Sequence, residues 1–207
     1  MVRVLVVADE EVPAARSRAP RVGADLLLSA GDLPWAYLEA LADALGVPAA
    51  CVPGNHDPVG GQRSAPSGFV SVDDRVVDIG GLRVAGLGGS VRYNDGAHQY
   101  TQEQYRRRVA RLIEAAGGPV DVLLTHAPPS GLGDEPDPAH RGIEALHELI
   151  DALAPTWHLH GHIHPYGMNK PDRRLGDTLV RNVIPWTVLE IEPQAVGSPS
   201  TGAGRSA

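Results

Sequence analysis

Two hydrophobic regimes alternate along this chain. In residues 2–8, 26–29, 49–52 and 120–125 most positions are apolar, and residues 157–160, where Trp157 and Leu159 alternate with His158 and His160, read the same way. Runs of this length with no polar face predict strands buried on both sides. Between several of them, apolar residues return every three or four positions. Residues 34–45 open on a proline suited to a first helical turn and stop at Gly46. Residues 101–116 start with Thr101 and carry Gln104 three places on, a capping-box pattern. Residues 143–153 form an amphipathic helix halted by Pro155. Residues 76–79 and 82–87 flank Gly80-Gly81, which signals a tight hairpin. Two last strands, 178–182 and 186–191, are separated at Pro185. Strands alternating with helices, plus one hairpin, predict a single layered α/β domain over residues 1–193. Residues 194–207 are mostly Gly, Ser, Ala and Pro without pattern, and read as a disordered tail.

Composition narrows the partners. The chain has 207 residues, 43% of them hydrophobic, enough for one sizeable core. A net charge of -7 disfavours duplex nucleic acid, whose phosphates need a basic surface. The run Arg106-Arg107-Arg108 falls in the helix at 101–116 and reads as its solvated face. The single cysteine, Cys51, excludes an internal disulfide and a four-cysteine zinc site. It fits a reducing, cytoplasmic setting and reads as buried and inert. Residues 2–8 are too short to span a bilayer and lack the flanks of a signal peptide, so no membrane partner is expected.

Candidate chemistry gathers just after the buried strands. In parallel α/β sheets, ligands sit beyond the carboxyl ends of the strands. The loops there read Asp9-Glu10-Glu11, Gly31-Asp32, Gly54-Asn55-His56-Asp57, Thr125-His126 and Gly161-His162-Ile163-His164. All five offer carboxylate, amide oxygen or imidazole, the groups that bind divalent metals. His158 and His160 lie within the preceding strand and read as packed residues that support it.

In this order the loops resemble the calcineurin-like metallophosphoesterases. That family's pattern is Asp-x-His, Gly-Asp, Gly-Asn-His-Asp/Glu, His and Gly-His-x-His, each at a strand end. The resemblance covers about residues 1–191 and implies a four-layer α/β/β/α sandwich. It also implies two divalent metal ions, Mn ahead of Fe, Zn, Co or Mg. Asp32 resembles the carboxylate bridging the two. Asp9 and His164 would complete the first metal site; Asn55, His126 and His162 would complete the second. His56 resembles a histidine that contacts the phosphate or protonates the leaving oxygen, with Asp57 orienting it and Asn55 beside the substrate. The implied reaction is hydrolysis of a phosphate mono- or diester by a metal-bound hydroxide. A small phosphate ester or nucleotide is the expected substrate. Arg141 and Tyr166 are candidate substrate-side residues, each weighed evenly against a plain loop or rim role.

One position departs from the pattern. Glu11 stands where the family has the first-motif histidine. It would ligate the first metal through oxygen, or point to solvent and leave that metal weakly held, or mark an impaired site on a binding module. The first reading is preferred, and it expects Glu11→Ala to lower occupancy of the first metal. A phosphoesterase-fold scaffold is the rival from another class. The retained His56 favours an enzyme.

Overall fold

Strand β1 (Val2–Val7) explains why the strand runs lack polar positions. Alternate side chains leave a strand on opposite faces. Val4 and Val6 enter a core between two sheets, while Leu5 and Val7 enter a second core under a helix. The computed structural model describes residues 1–12, 21–59, 63–168 and 170–194.

The first sheet continues through β2 (Leu26–Ser29), β3 (Ala49–Cys51) and β4 (Phe69–Ser71), all parallel to β1. The last strand, β13 (Trp186–Ile191), pairs antiparallel with β1 and gives the order β13-β1-β2-β3-β4. Helix α1 (Trp35–Leu45) covers its outer face with Leu38 and Leu41.

The second sheet has the order β11-β12-β10-β9-β6-β5. Its parallel centre is β12 (Thr178–Asn182), β10 (Trp157–His160), β9 (Val122–Thr125) and β6 (Leu82–Leu87). The edges β5 (Arg75–Ile79) and β11 (Arg173–Leu175) are antiparallel to it. Helices α2 (Gln102–Ala116) and α3 (Leu146–Leu153) bury a third core against its outer face. The layers are therefore helix, sheet, sheet, helices: the four-layer α/β/β/α sandwich. A short pair, β7 (Ser90–Val91) and β8 (Gln99–Tyr100), lies apart.

Local signals are met where local chemistry decides. Thr101 and Gln104 cap α2 reciprocally. Gly80 and Gly81, at φ 58° and 83°, supply the two positive values a tight hairpin turn needs. Tertiary pairing shortens α3, which begins at Leu146 because Ile143 bridges to Pro129. The two strands around Pro185 join different sheets. Cys51 is buried, and burial lifts its thiol to about 12, with the Asp57 and Asp73 charges adding.

The arginine run needs correction. Arg106 and Arg107 are exposed and pair with Glu103 and Glu144. Arg108 is buried, because it shares the inward face of α2 with Tyr105, Val109 and Leu112. Its guanidinium binds Asp73 at 2.6 Å, Asp74 at 2.9 Å and the Gly88 carbonyl at 3.0 Å, and lies 4.2 Å from the Tyr100 ring centroid. At the other boundary, the Gln194 side chain donates to the Val120 and Ala154 carbonyls, so order persists to that residue. The rest of the expected tail, 195–207, lies outside the described residues. No helix among those described is long and apolar enough to cross a membrane.

Candidate metal centre

The carboxyl ends of β1, β2 and β3 in one sheet and of β9 and β10 in the other deliver their loops to one place. The chain turns sharply there. Asp9 has φ 62°, and the Glu10 amide donates to the Ala8 carbonyl at 2.7 Å. His162 has φ 69°, and the Ile163 amide donates to the Gly161 carbonyl at 2.8 Å. Both are γ-turns centred on a candidate ligand. Asp32, at φ 56°, is left-handed too. Such conformations cost non-glycine residues on the order of 1–3 kcal/mol and concentrate at functional sites. Close approach explains two motif glycines. A Cβ on Gly54 would lie 2.0 Å from Asp32 Oδ1, and one on Gly161 would lie 2.3 Å from Asp9 Oδ2.

His126 is the hub and is fully buried. Its Nδ1 lies 2.7 Å from the Ala30 carbonyl, which can only accept, so Nδ1 carries a hydrogen. Nε2 then faces Asn55 Oδ1 at 3.0 Å and Asp32 Oδ2 at 3.2 Å. The Asn55 amide nitrogen donates to the Tyr93 hydroxyl at 3.2 Å, which aims Oδ1 inward. Three acceptor atoms thus converge, and only a proton or a cation between them makes the arrangement favourable. Burial opposes charge on His126, but Asp32 outweighs it and raises the imidazole to about 9. Burial also pushes Asp32 up, and His126 with the His56 amide overcomes it, holding the carboxyl at about 2. The set of one nitrogen and two oxygens fits a divalent metal. Asp9, Asp32 and His126 place ligand atoms within 4.8 Å of one another.

The remaining ligand candidates surround this hub. Asp9 accepts both its hydrogen bonds from the His162 amide, at 3.0 and 3.2 Å. Burial lifts its carboxyl to about 6, although the His126 charge opposes. His162 sits with its ring 4.9 Å from that of His126. Its Nε2 donates to the Ala139 carbonyl at 2.9 Å, leaving Nδ1 with the lone pair. Burial, reinforced by the His126 charge, lowers it to about 3, so the imidazole is neutral and its Nδ1 lone pair is available to a metal. His164 places Nε2 3.9 Å from Asp9 Oδ1 and Nδ1 3.1 Å from Glu10 Oε1.

Several expected residues sit elsewhere. Glu11 is exposed and makes no side-chain bond with the described residues; Glu10 faces the site instead. The γ-turn at Asp9 is the reason, since it breaks the every-second-residue alternation that would have turned position 11 inward. Asp57 does not hold His56 through Oδ2, which accepts the amides of Gly54 at 2.8 Å and Asp32 at 3.1 Å and so fastens two loops together. The His56 amide donates to Asp32 Oδ1 at 2.8 Å, and its side chain is exposed. Arg141 is exposed and unpaired among the described residues. Tyr166 is exposed, with its ring 5.7 Å from that of His164. His158 and His160 are buried in β10, bonded to Thr125 Oγ1 and to the Gly161 carbonyl. Sequence reasoning missed Glu10, Tyr93 and the Ala139 carbonyl. Glu10 carried a signal as a carboxylate in the first loop, and Tyr93 as a polar aromatic in the loop after the hairpin; the carbonyl carried none.

A cavity of about 490 Å³ opens beside Asp32 and His56, walled by Trp35, Asp57 and Pro58. It shares those three walls with a second cavity of about 460 Å³ that reaches Arg63, Arg75 and His98.

The chain resembles known proteins in sequence and in fold. Residues 7–166 match the family model of calcineurin-like phosphoesterases, and the chain belongs to that family. Membership supports a phosphoesterase-type function. A Caenorhabditis elegans protein, UPF0046 protein T07D4.2, is 31% identical over 100 residues, which make up 47% of this chain and 24% of that protein. The match thus spans about a quarter of that relative. Among solved structures, one superposes with TM-score 0.67 at 17% identity, covering 92% of this chain and 97% of the other. The protein TT1561 of Thermus thermophilus gives 0.59 at 19% identity, covering 86% and 87%. A hypothetical protein from the same organism gives 0.54 at 19%, covering 87% and 75%. At these identities the structures share the fold.

Proposed function

We propose that this chain hydrolyses a phosphate mono- or diester at a dinuclear metal site. The observation that carries this reading is the convergence of Asp32 Oδ2, Asn55 Oδ1 and His126 Nε2 beside the exposed His56. Asp32, Asn55, His126 and His162 would hold one divalent ion, and Asp9, Asp32 and His164 the other, with Mn the best match to mixed oxygen and nitrogen ligands. Bound there, such ions supply Lewis-acid polarisation of the phosphoryl oxygens and a water of lowered pKa.

The chain's own groups do the rest. Asp32 Oδ1 fixes the His56 backbone, so the imidazole stands at the mouth of the cavity, free to donate a proton to the leaving oxygen. The Ala30 and Ala139 carbonyls lock the tautomers of His126 and His162. Trp35 and Pro58 wall the space open to the esterifying group. A small phosphate ester or nucleotide fits its volume, and the net charge of -7 argues against duplex nucleic acid.

His56→Ala should lower kcat for an aryl phosphodiester with added Mn by about 10²–10⁴-fold, the usual value of general acid catalysis. The loss should shrink for substrates whose leaving group needs no proton. Wild-type protein with full metal and no activity on any mono- or diester would defeat the proposal.

A further inference from the structure

We propose that Glu10 completes the first metal site by fixing the tautomer of His164, and that this site fills second and more weakly. The inference rests on the dinuclear reading above but concerns Glu10, a residue outside the family's pattern. A carboxylate oxygen only accepts, so the 3.1 Å contact from Glu10 Oε1 puts the hydrogen on His164 Nδ1. The Nε2 lone pair then faces Asp9 Oδ1 across 3.9 Å. That gap is just under twice a metal–ligand bond of about 2.0–2.2 Å. Glu10 therefore stands where outer carboxylates commonly stand behind ligating histidines, raising their basicity and holding their orientation.

Two observations make the sites unequal. The His126 site gathers its atoms at 3.0 and 3.2 Å around a residue with no solvent exposure. His164 has 32% of its side chain exposed, Glu10 has 50%, and the facing atoms stand further apart. The first site also has three candidate ligands against four, counting Asp32 in both. Fewer ligands and a less rigid frame lower affinity. Glu11 is exposed and makes no side-chain bond with the described residues, so it is not counted among the ligands.

The test is a Mn(II) titration of the full chain, followed by calorimetry and by electron paramagnetic resonance, which separates isolated from coupled ions. Wild type should bind two ions in two steps. Glu10→Ala should weaken the second step by about 10–100-fold and leave the first unchanged. Glu10→Gln keeps an accepting oxygen and should recover much of the loss. Glu11→Ala should match wild type. In the metal-free chain, ¹⁵N histidine spectra should show His164 protonated at Nδ1, and Glu10→Ala should lose that preference. An unchanged second step in Glu10→Ala, or a second step lost in Glu11→Ala, would overturn the inference alone. Wild type that binds no Mn(II) would overturn the dinuclear reading and this inference with it.

Discussion

Asp32→Ala is expected to lose metal and ester hydrolysis together while keeping its fold. One oxygen of Asp32 faces His126 and Asn55; the other accepts the His56 amide. On the proposed reading, the substitution removes the one carboxylate that both metal sites would share and releases the backbone that would present the general acid. Metal stabilisation of a phosphoryl transition state is worth several kcal/mol. At about 1.36 kcal/mol per tenfold, a loss of about 4 kcal/mol is a rate loss of about 10³. Metal analysis, steady-state kinetics and circular dichroism on one preparation would check this. Activity within tenfold of wild type would contradict the role given to Asp32.

Arg108→Ala should be the most destabilising single change among the charged residues of α2. The guanidinium joins Asp73, Asp74 and the Gly88 carbonyl and stacks on Tyr100. Removing one partner of a buried ion pair costs about 3–5 kcal/mol. Asp74 is 42% exposed and regains water, so the lower end applies, about 3 kcal/mol. For a chain of this size that lowers the melting temperature by roughly 6–12 °C. Adding Asp73→Asn should return part of the loss by removing a stranded charge. A melting temperature within about 2 °C of wild type for Arg108→Ala would show that the pair contributes little.

Much of the fold could be read from the chain because local physics and burial agree. The mostly apolar runs became the central strands, and the capping box and hairpin glycines formed where their chemistry demands. Edge strands β4 and β11 escaped because each is three residues long and incompletely buried, with no pattern to betray it. Arg108 was misread because charge suggested solvent, while helical periodicity placed it inward. In the site, residues on strand ends could be located, since strand position fixes them. Those just past a left-handed turn could not. A left-handed residue at Asp9 changes which of the next side chains faces inward, and no spacing rule carries across such a turn to separate Glu10 from Glu11. Asp57 was given a partner by analogy, whereas two amides claim its Oδ2.

The split origin of the candidate ligands has one more consequence. Asp9, Asp32 and Asn55 hang from one sheet, and His126, His162 and His164 hang from the other. Any cation held among them is a rivet between the two halves of the sandwich. Its binding free energy opposes their parting, so the chain's resistance to heat should climb with the logarithm of metal concentration. If metal is bound there, a cell that withholds it would loosen the architecture as well as idle the proposed chemistry.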